Sequence, residues 1–337
     1  MPRPGWPSLL LVIATIAPSA QAAHEPPGSW PLASSEEAWT LLPRALVGGG
    51  GRLPTWARAT ARDLPRTTAA MLDLDRLHRT KSPLGPALRG KMRWVAADAN
   101  RCEYARATAE ADLRRAGLAE SEVADLKAGP GRWPDGERDA LQFARQMTLD
   151  ASLVTDDQVA ALKASYGDEK LVAMVLLLAS ANFQDRLILG LGVPAEEGGP
   201  LPPLEIKFDP RAPEPPVPAR ANPADLRGPD EPAWVDDPEW NEFDFAALQG
   251  GLQAQKANAG RIRVPTLEEV LARLPEGAPR PKNPLRIKWS LVCMGYQPEL
   301  ATAWGACMSS FGKEAKQDRV FEESLFWIVT RTIHCFY

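Results

Sequence analysis

Two cysteines in this 337-residue chain sit in the same short pattern. Trp94, Cys102 and Tyr104 have the spacing of Trp327, Cys335 and Tyr337. A cysteine at a helix start is placed for thiol chemistry, because the positive helix end favours thiolate, the nucleophilic form. Such a thiol can be oxidised to sulfenic acid or pair with another chain. It can also be a small buried apolar residue, and Cys102 is read first in that way. Cys293 and Cys307 complete the set of four, and no two cysteines make a C-x-x-C or a zinc spacing. In an exported protein Cys293 and Cys307 can form a disulfide; as core thiols they stay free. The histidines are His24, His78 and His334. They are too few and too scattered for a His-rich metal site or a Ser-His-Asp triad, so neither a metal nor another cofactor is expected.

The elements that must hold these residues are helical. Glu110 to Leu118 runs into a glycine stop at Gly117. Ala140, Phe143, Ala144 and Met147 fall on one side of a helix. Thr155 to Gln158 is a capping box, and Gly167-Asp168 ends that helix and starts the next. Leu171 to Ala181 is apolar all round, which predicts a buried central helix. No segment shows the alternation of a sheet protein. The fold class expected is all-α. Asp135, Glu137 and Asp139 look like paired carboxylates, but acids at a helix start complement its dipole.

The chain is long enough for two ordinary domains. Its net charge of -4 and pI near 5.6 give no basic face, so nucleic acid is not an expected partner. Arg3 followed by the apolar run Ser8 to Ala17 and by Ala20-Gln21-Ala22 has the form of a signal peptide over residues 1–22. The expected setting is periplasmic or secreted, with no membrane after cleavage; the alternative is an uncleaved membrane anchor. Residues 200–232 hold 11 prolines and read as part of an extended linker over 199–262. The acidic stretch Trp234 to Phe245 that lies within it is expected to be irregular.

A shift of 233 residues lays part of the chain on itself without a gap. Pro65 falls on Pro298, Ala70 on Ala303, Trp94 on Trp327, Cys102 on Cys335 and Tyr104 on Tyr337. This predicts one unit over 40–198 and the first part of a second over 263–337. By comparison with the first, a whole second unit needs about ninety more residues to bury its apolar faces. The expectation is a fragment or a prematurely terminated product; a natural short form is the other reading.

At these residues the chain resembles the carboxymuconolactone decarboxylase family, in its alkylhydroperoxidase D-like branch. The family pattern opens a helix with N-x-C-x-[YH]-C-x-x-x-H, with a glutamate twelve residues before the first cysteine. An apolar helix downstream often ends in an N-F-x-x-R-like segment, here Asn182 to Arg186. The resemblance implies a helical bundle and peroxide reduction by a dithiol, with the histidine relaying a proton and the glutamate orienting it. In the first unit Asn100, Cys102 and Tyr104 match, but Gly90 stands at the glutamate position, Ala105 at the second cysteine and Ala109 at the histidine. In the second, Glu323, Cys335 and Tyr337 match, while His334 stands just before the cysteine. Catalytic roles are therefore expected of Glu323 and Cys335 and, more weakly, Cys102. Asn182 and Arg186 are expected to tie core helices or line a cavity.

Three functions follow. The first is thiol peroxidase activity centred on the second unit, on an alkyl hydroperoxide with a dithiol reductant, incomplete in the chain as given. The second is a non-redox scaffold or binding module, most simply a homo-oligomer. The third and weakest is decarboxylation of a lactone acid, for which the first unit offers no obvious general base.

Overall fold

The computed structural model describes residues 31–209, 260–275, 288–315 and 317–332, with a few more between 246 and 254. Outside them lie residues 1–22, the Trp234 to Phe245 stretch, and His334, Cys335 and Tyr337. The described chain is all-α apart from one two-stranded ribbon.

The first helices are set by local signals. Ser34 caps α1 (Ser35–Leu41), its hydroxyl accepting from the Glu37 N–H at 3.0 Å, with Glu36 and Glu37 in the positive first turn. After the strand β1 (Ala45–Val47) and the short α2 (Thr55–Thr60), prolines occupy the first position of α3 (Pro65–Thr80) and α4 (Pro86–Ala99), where no N–H is needed. The end of α4 turns back through Arg101, whose φ of 58° makes it the one described non-glycine residue with positive φ. The Cys102 N–H reaches the Ala97 carbonyl at 2.9 Å, which closes the helix end and leaves Cys102 as the N-cap of α5 (Glu103–Arg115).

Gly117, at φ 86°, ends α5 by the same geometry: the Leu118 N–H meets the Leu113 carbonyl at 3.1 Å. Then come α6 (Glu120–Ala128), α7 (Arg138–Leu149) and α8 (Asp156–Gly190). The Thr155/Gln158 capping box opens α8, and Gly167, at φ 75° and ψ 168°, breaks it where a helix stop was expected. Leu171, Val172, Ala173, Met174, Leu177, Leu178 and Ala181 are buried, as expected of a central helix. The packing centre is α4, enclosed by α5, α7 and α8. Its core joins Met92, Trp94 and Val95 to Leu113, Leu141, Phe143 and Met174.

The packed unit reaches beyond 40–198 at both ends. Ala38 on α1 is fully buried, and residues 199–209, expected to begin a linker, fold back onto it. There β2 (Lys207–Phe208) pairs antiparallel with β1, setting Phe208 opposite Ala45 and burying Ile206.

Downstream, α9 (Leu267–Arg273), α10 (Lys288–Tyr296), α11 (Pro298–Glu314) and α12 (Arg319–Thr332) follow. The main contact with the first unit is α11 on α3. Leu74 and Leu77 meet Leu300 and Ala303, and the Trp304 ring stands edge-on to Phe183 at 5.6 Å. The Glu314 carboxylate, itself buried, closes the start of α3. It accepts from the Arg66 N–H at 2.8 Å, the Thr67 N–H at 2.9 Å and the Thr67 hydroxyl at 2.7 Å. This is a side chain from one segment serving as the anionic cap of another.

Candidate functional site

A cavity of about 60 Å³ lies between α3, α4, α5 and α8, closed by Glu196 and Leu201 from the chain after α8. Its apolar wall includes Trp56, Met71, Leu177 and Phe183. Ala105 and Ala109, one turn apart on α5, also line it. These are the positions expected to have lost a second cysteine and a histidine, and only methyl groups stand there.

Gly90 has a different role. A Cβ on it would come 2.6 Å from Cδ2 of Leu113, a fully buried residue of α5. The glycine lets α4 and α5 approach closely, and Leu113 fills the space that a glutamate would need. The three departures are thus not equivalent: two leave room in a cavity, and the third closes it off.

Cys102 is buried in the neighbouring apolar cluster and does not line the cavity. Burial pushes its thiol above the ordinary range, and Asp185 acts the same way, outweighing the Ala105 N–H and Arg93. Helix position favours thiolate, but desolvation wins here. Cys293 and Cys307 are free buried thiols, pushed by burial up to about 12 and about 11, so the disulfide considered for them is not formed.

The polar wall is a network of buried charges. The Arg79 guanidinium grips Asp112 with two bonds, Nε at 2.9 Å and Nη2 at 2.7 Å, and also reaches Asp75 at 3.2 Å. Arg89 donates through Nη2 to the same Asp112 at 3.1 Å, and Arg115 adds a third guanidinium at 2.8 Å. Burial works to raise the Asp112 carboxyl, yet the arginines hold it below the usual range. Burial lowers Arg89 in spite of Asp112, because Asp112 is shared and Arg79 stands close by. Beside them His78 is buried and its imidazole is pushed down to about 3, first by burial and then by Arg89 and Arg93, so it is neutral at pH 7. Tyr104 donates its hydroxyl to Glu196, which also accepts the Thr55 N–H at 2.7 Å.

Asn182 meets Asn100: Asn100 Nδ2 donates to Asn182 Oδ1 and to Asp185 Oδ2, both at 3.0 Å. Arg186 does not join them; it is exposed, and its neighbour Asp185 takes the inward place, fully buried and ion-paired with Arg93. Glu323 is also exposed, within 3.6 Å of Arg319 one turn earlier. Cys335 and Tyr337 lie outside the described residues. Sequence reasoning missed Arg79, Arg89, Arg93, Asp112 and Asp185. One signal was present: Asp112 follows Ala105 and Ala109 on the buried stripe of α5, and a carboxylate on an apolar face needs an ionic partner.

Among the described residues no group of three His, Cys, Asp or Glu is placed to hold a metal ion. No family model, curated protein or solved structure matches the chain.

Proposed function

We propose that residues 31–209 form a non-redox binding module whose cavity occupies the place of a redox centre in carboxymuconolactone decarboxylase-like proteins. The observation that carries this is the lining of Ala105 and Ala109 on a cavity walled by Arg79, Arg89 and Asp112, with no cysteine among its described lining residues and the neighbouring Cys102 buried and held protonated. A reaction cycling between dithiol and disulfide needs an accessible thiolate and a second sulfur; this cavity offers neither. It offers fixed charge and hydrogen-bond donors in an apolar setting, which suits binding.

A second reading keeps thiol peroxidase activity for the C-terminal segment. What favours it is register: α11 begins 233 residues after α3, and α12 covers the residues 233 beyond α4. This agreement supports an internal duplication in which Glu323 and Cys335 are the retained groups. One assay separates the readings. The full chain, given tert-butyl hydroperoxide and a dithiol, should consume no peroxide above the protein-free rate, and Cys102→Ser should change nothing. Turnover that disappears in Cys335→Ser but not in Cys102→Ser would establish the second reading. Turnover that needs Cys102 would refute the first.

A further inference from the structure

We infer that α3 carries a self-recognition surface, that α11 occupies it in place of the α3 of a second copy, and that Glu314 decides between the two occupants. None of this depends on what the cavity binds.

The two helices meet through the same positions. Arg66, Asp73 and Leu77 of α3 line one groove with Glu299, Ala306 and Ser310 of α11, each of the second three standing 233 residues after one of the first. Leu74 and Leu77 meet Leu300 and Ala303, which stand 233 residues after Thr67 and Ala70. Cys307, at the same distance from Leu74, is buried in the cluster that holds Ala69 and Ala70. The pair is antiparallel. Glu314 at the end of α11 lies on the start of α3, while Leu300 near the start of α11 packs with Leu74 and Leu77 in the later half of α3. Exchanging α3 and α11 at this offset therefore returns the same contact. That is the geometry of an isologous interface, in which one surface recognises a copy of itself.

The ends of the pair break the symmetry. At the start of α3 the buried Glu314 carboxylate accepts from the N–H groups of Arg66 and Thr67 and from the Thr67 hydroxyl. The residue of α3 that corresponds to Glu314 is the exposed Lys81. An ammonium offers no acceptor, and in that place it would face the positive end of the helix. Two α3 helices would repeat the mismatch at both ends. With α11 the signs agree: Glu314 closes the start of α3, and Lys81 shares the groove with Glu299, in the first turn of α11. The middle of the pair does not discriminate. There α3 offers Thr67 and Leu77 where α11 offers Leu300 and Ser310, one smaller and one larger. The choice of partner thus falls to charge at the helix ends, on a surface otherwise matched to itself.

The test exchanges the two end residues in the full chain. Lys81→Glu/Glu314→Lys moves the acid from α11 to α3 and leaves composition and net charge unchanged. It should release α11 and let two copies pair through α3. Light scattering should then read double the native mass, and limited proteolysis should cut within residues 288–315, which stay protected in the native chain. Glu314→Lys alone should release α11 without pairing. Adding Leu77→Asp to the exchanged chain should return it to the native mass. If the exchanged chain loses cooperative unfolding, Lys81→Glu/Glu314→Ala replaces it, because alanine leaves no buried charge, and the same doubling is expected. An exchanged chain of native mass, a dimer that survives Leu77→Asp, or a dimer formed by Glu314→Lys alone would overturn the inference. Each of these results leaves the peroxide assay, and so the non-redox reading, untouched.

Discussion

The helices α4 and α12 are both 14 residues long, and each carries a tryptophan at its ninth position. One is the centre of a core and the other lies bare. Met92 on α4 is 0% exposed and Trp94 5%; their places on α12 are taken by Leu325 and Trp327, each 50% exposed. Phe321, Ile328 and Val329 are exposed as well, where α4 buries Leu88, Val95 and Ala96. The apolar pattern decides which face of a helix gains from cover; other elements decide whether it gets it. For α4 the cover is α5, α7 and α8.

The sharpest way to break this comparison is to truncate both tryptophans. Trp94 packs in the core and donates its ring N–H to Glu110 at 3.1 Å. Trp94→Ala should lower stability by about 3–5 kcal/mol. Trp327→Ala should cost no more than about 0.5 kcal/mol, as surface changes do. Urea unfolding midpoints measure both. Similar losses would mean that α12 is covered in solution and that the contrast fails.

The chemistry of the local chain was legible from sequence, and its long-range pairing was not. Gly117, the Thr155 box and the Gly167 break all act within one or two turns, so spacing reveals them. The apolar run after Leu171 reads as buried because no face of it is polar. Cys102 at a helix start could be placed, but its protonation depends on burial and on Asp185, which only the fold brings near. The Arg79–Asp112 and Arg93–Asp185 pairs join residues 33 and 92 apart in sequence, and no periodicity encodes them. Residues 199–209 misled for a related reason. Proline excludes helix and central strand, yet it leaves an extended chain free to pair at an edge. The difference between Gly90 and the two alanines was also invisible, since it depends on Leu113.

Glu314 joins the two regions, and its removal tests whether α11 needs that cap to stay on α3. Glu314→Ala leaves two backbone N–H groups and the Thr67 hydroxyl without their acceptor, at a cost of about 1–3 kcal/mol. Limited proteolysis should then cut first within residues 260–332, before any loss of the α4 core. Simultaneous loss of both would show that the regions unfold as one.

Exchanging residues between the two helices gives a smaller effect. Gly90→Ala drives a methyl group into Leu113 and should cost about 1–2 kcal/mol, even though alanine is the better helix former. Glu323→Gly, at the matching place on α12, should cost about 1 kcal/mol, from helix propensity alone. Denaturation midpoints of the two variants separate packing from propensity. A stabilising Gly90→Ala would show that α5 can yield and that Leu113 does not close the glutamate position.

The last test concerns α3 beneath α4. His78 is buried there, while Phe311 on α11, 233 residues later, is not titratable. In the fold the His78 imidazole is held down to about 3, whereas in the unfolded chain it titrates near its ordinary value of 6.5. Between these values the unfolded state takes up a proton that the folded state refuses. Stability must therefore fall as pH drops below about 6.5, by at most about 1.4 kcal/mol per pH unit from this group. Above 6.5 both states are neutral there and the contribution is constant. Asp112 loses its stabilising charge only as pH falls through the lower range of a depressed carboxylate, so the interval from pH 6.5 to 5 isolates the histidine. Unfolding measured across that interval should slope in the native chain and flatten in His78→Gln. An unchanged slope would mean that His78 is reached by water, and that the cover distinguishing α4 from α12 is looser over α3 than its burial implies.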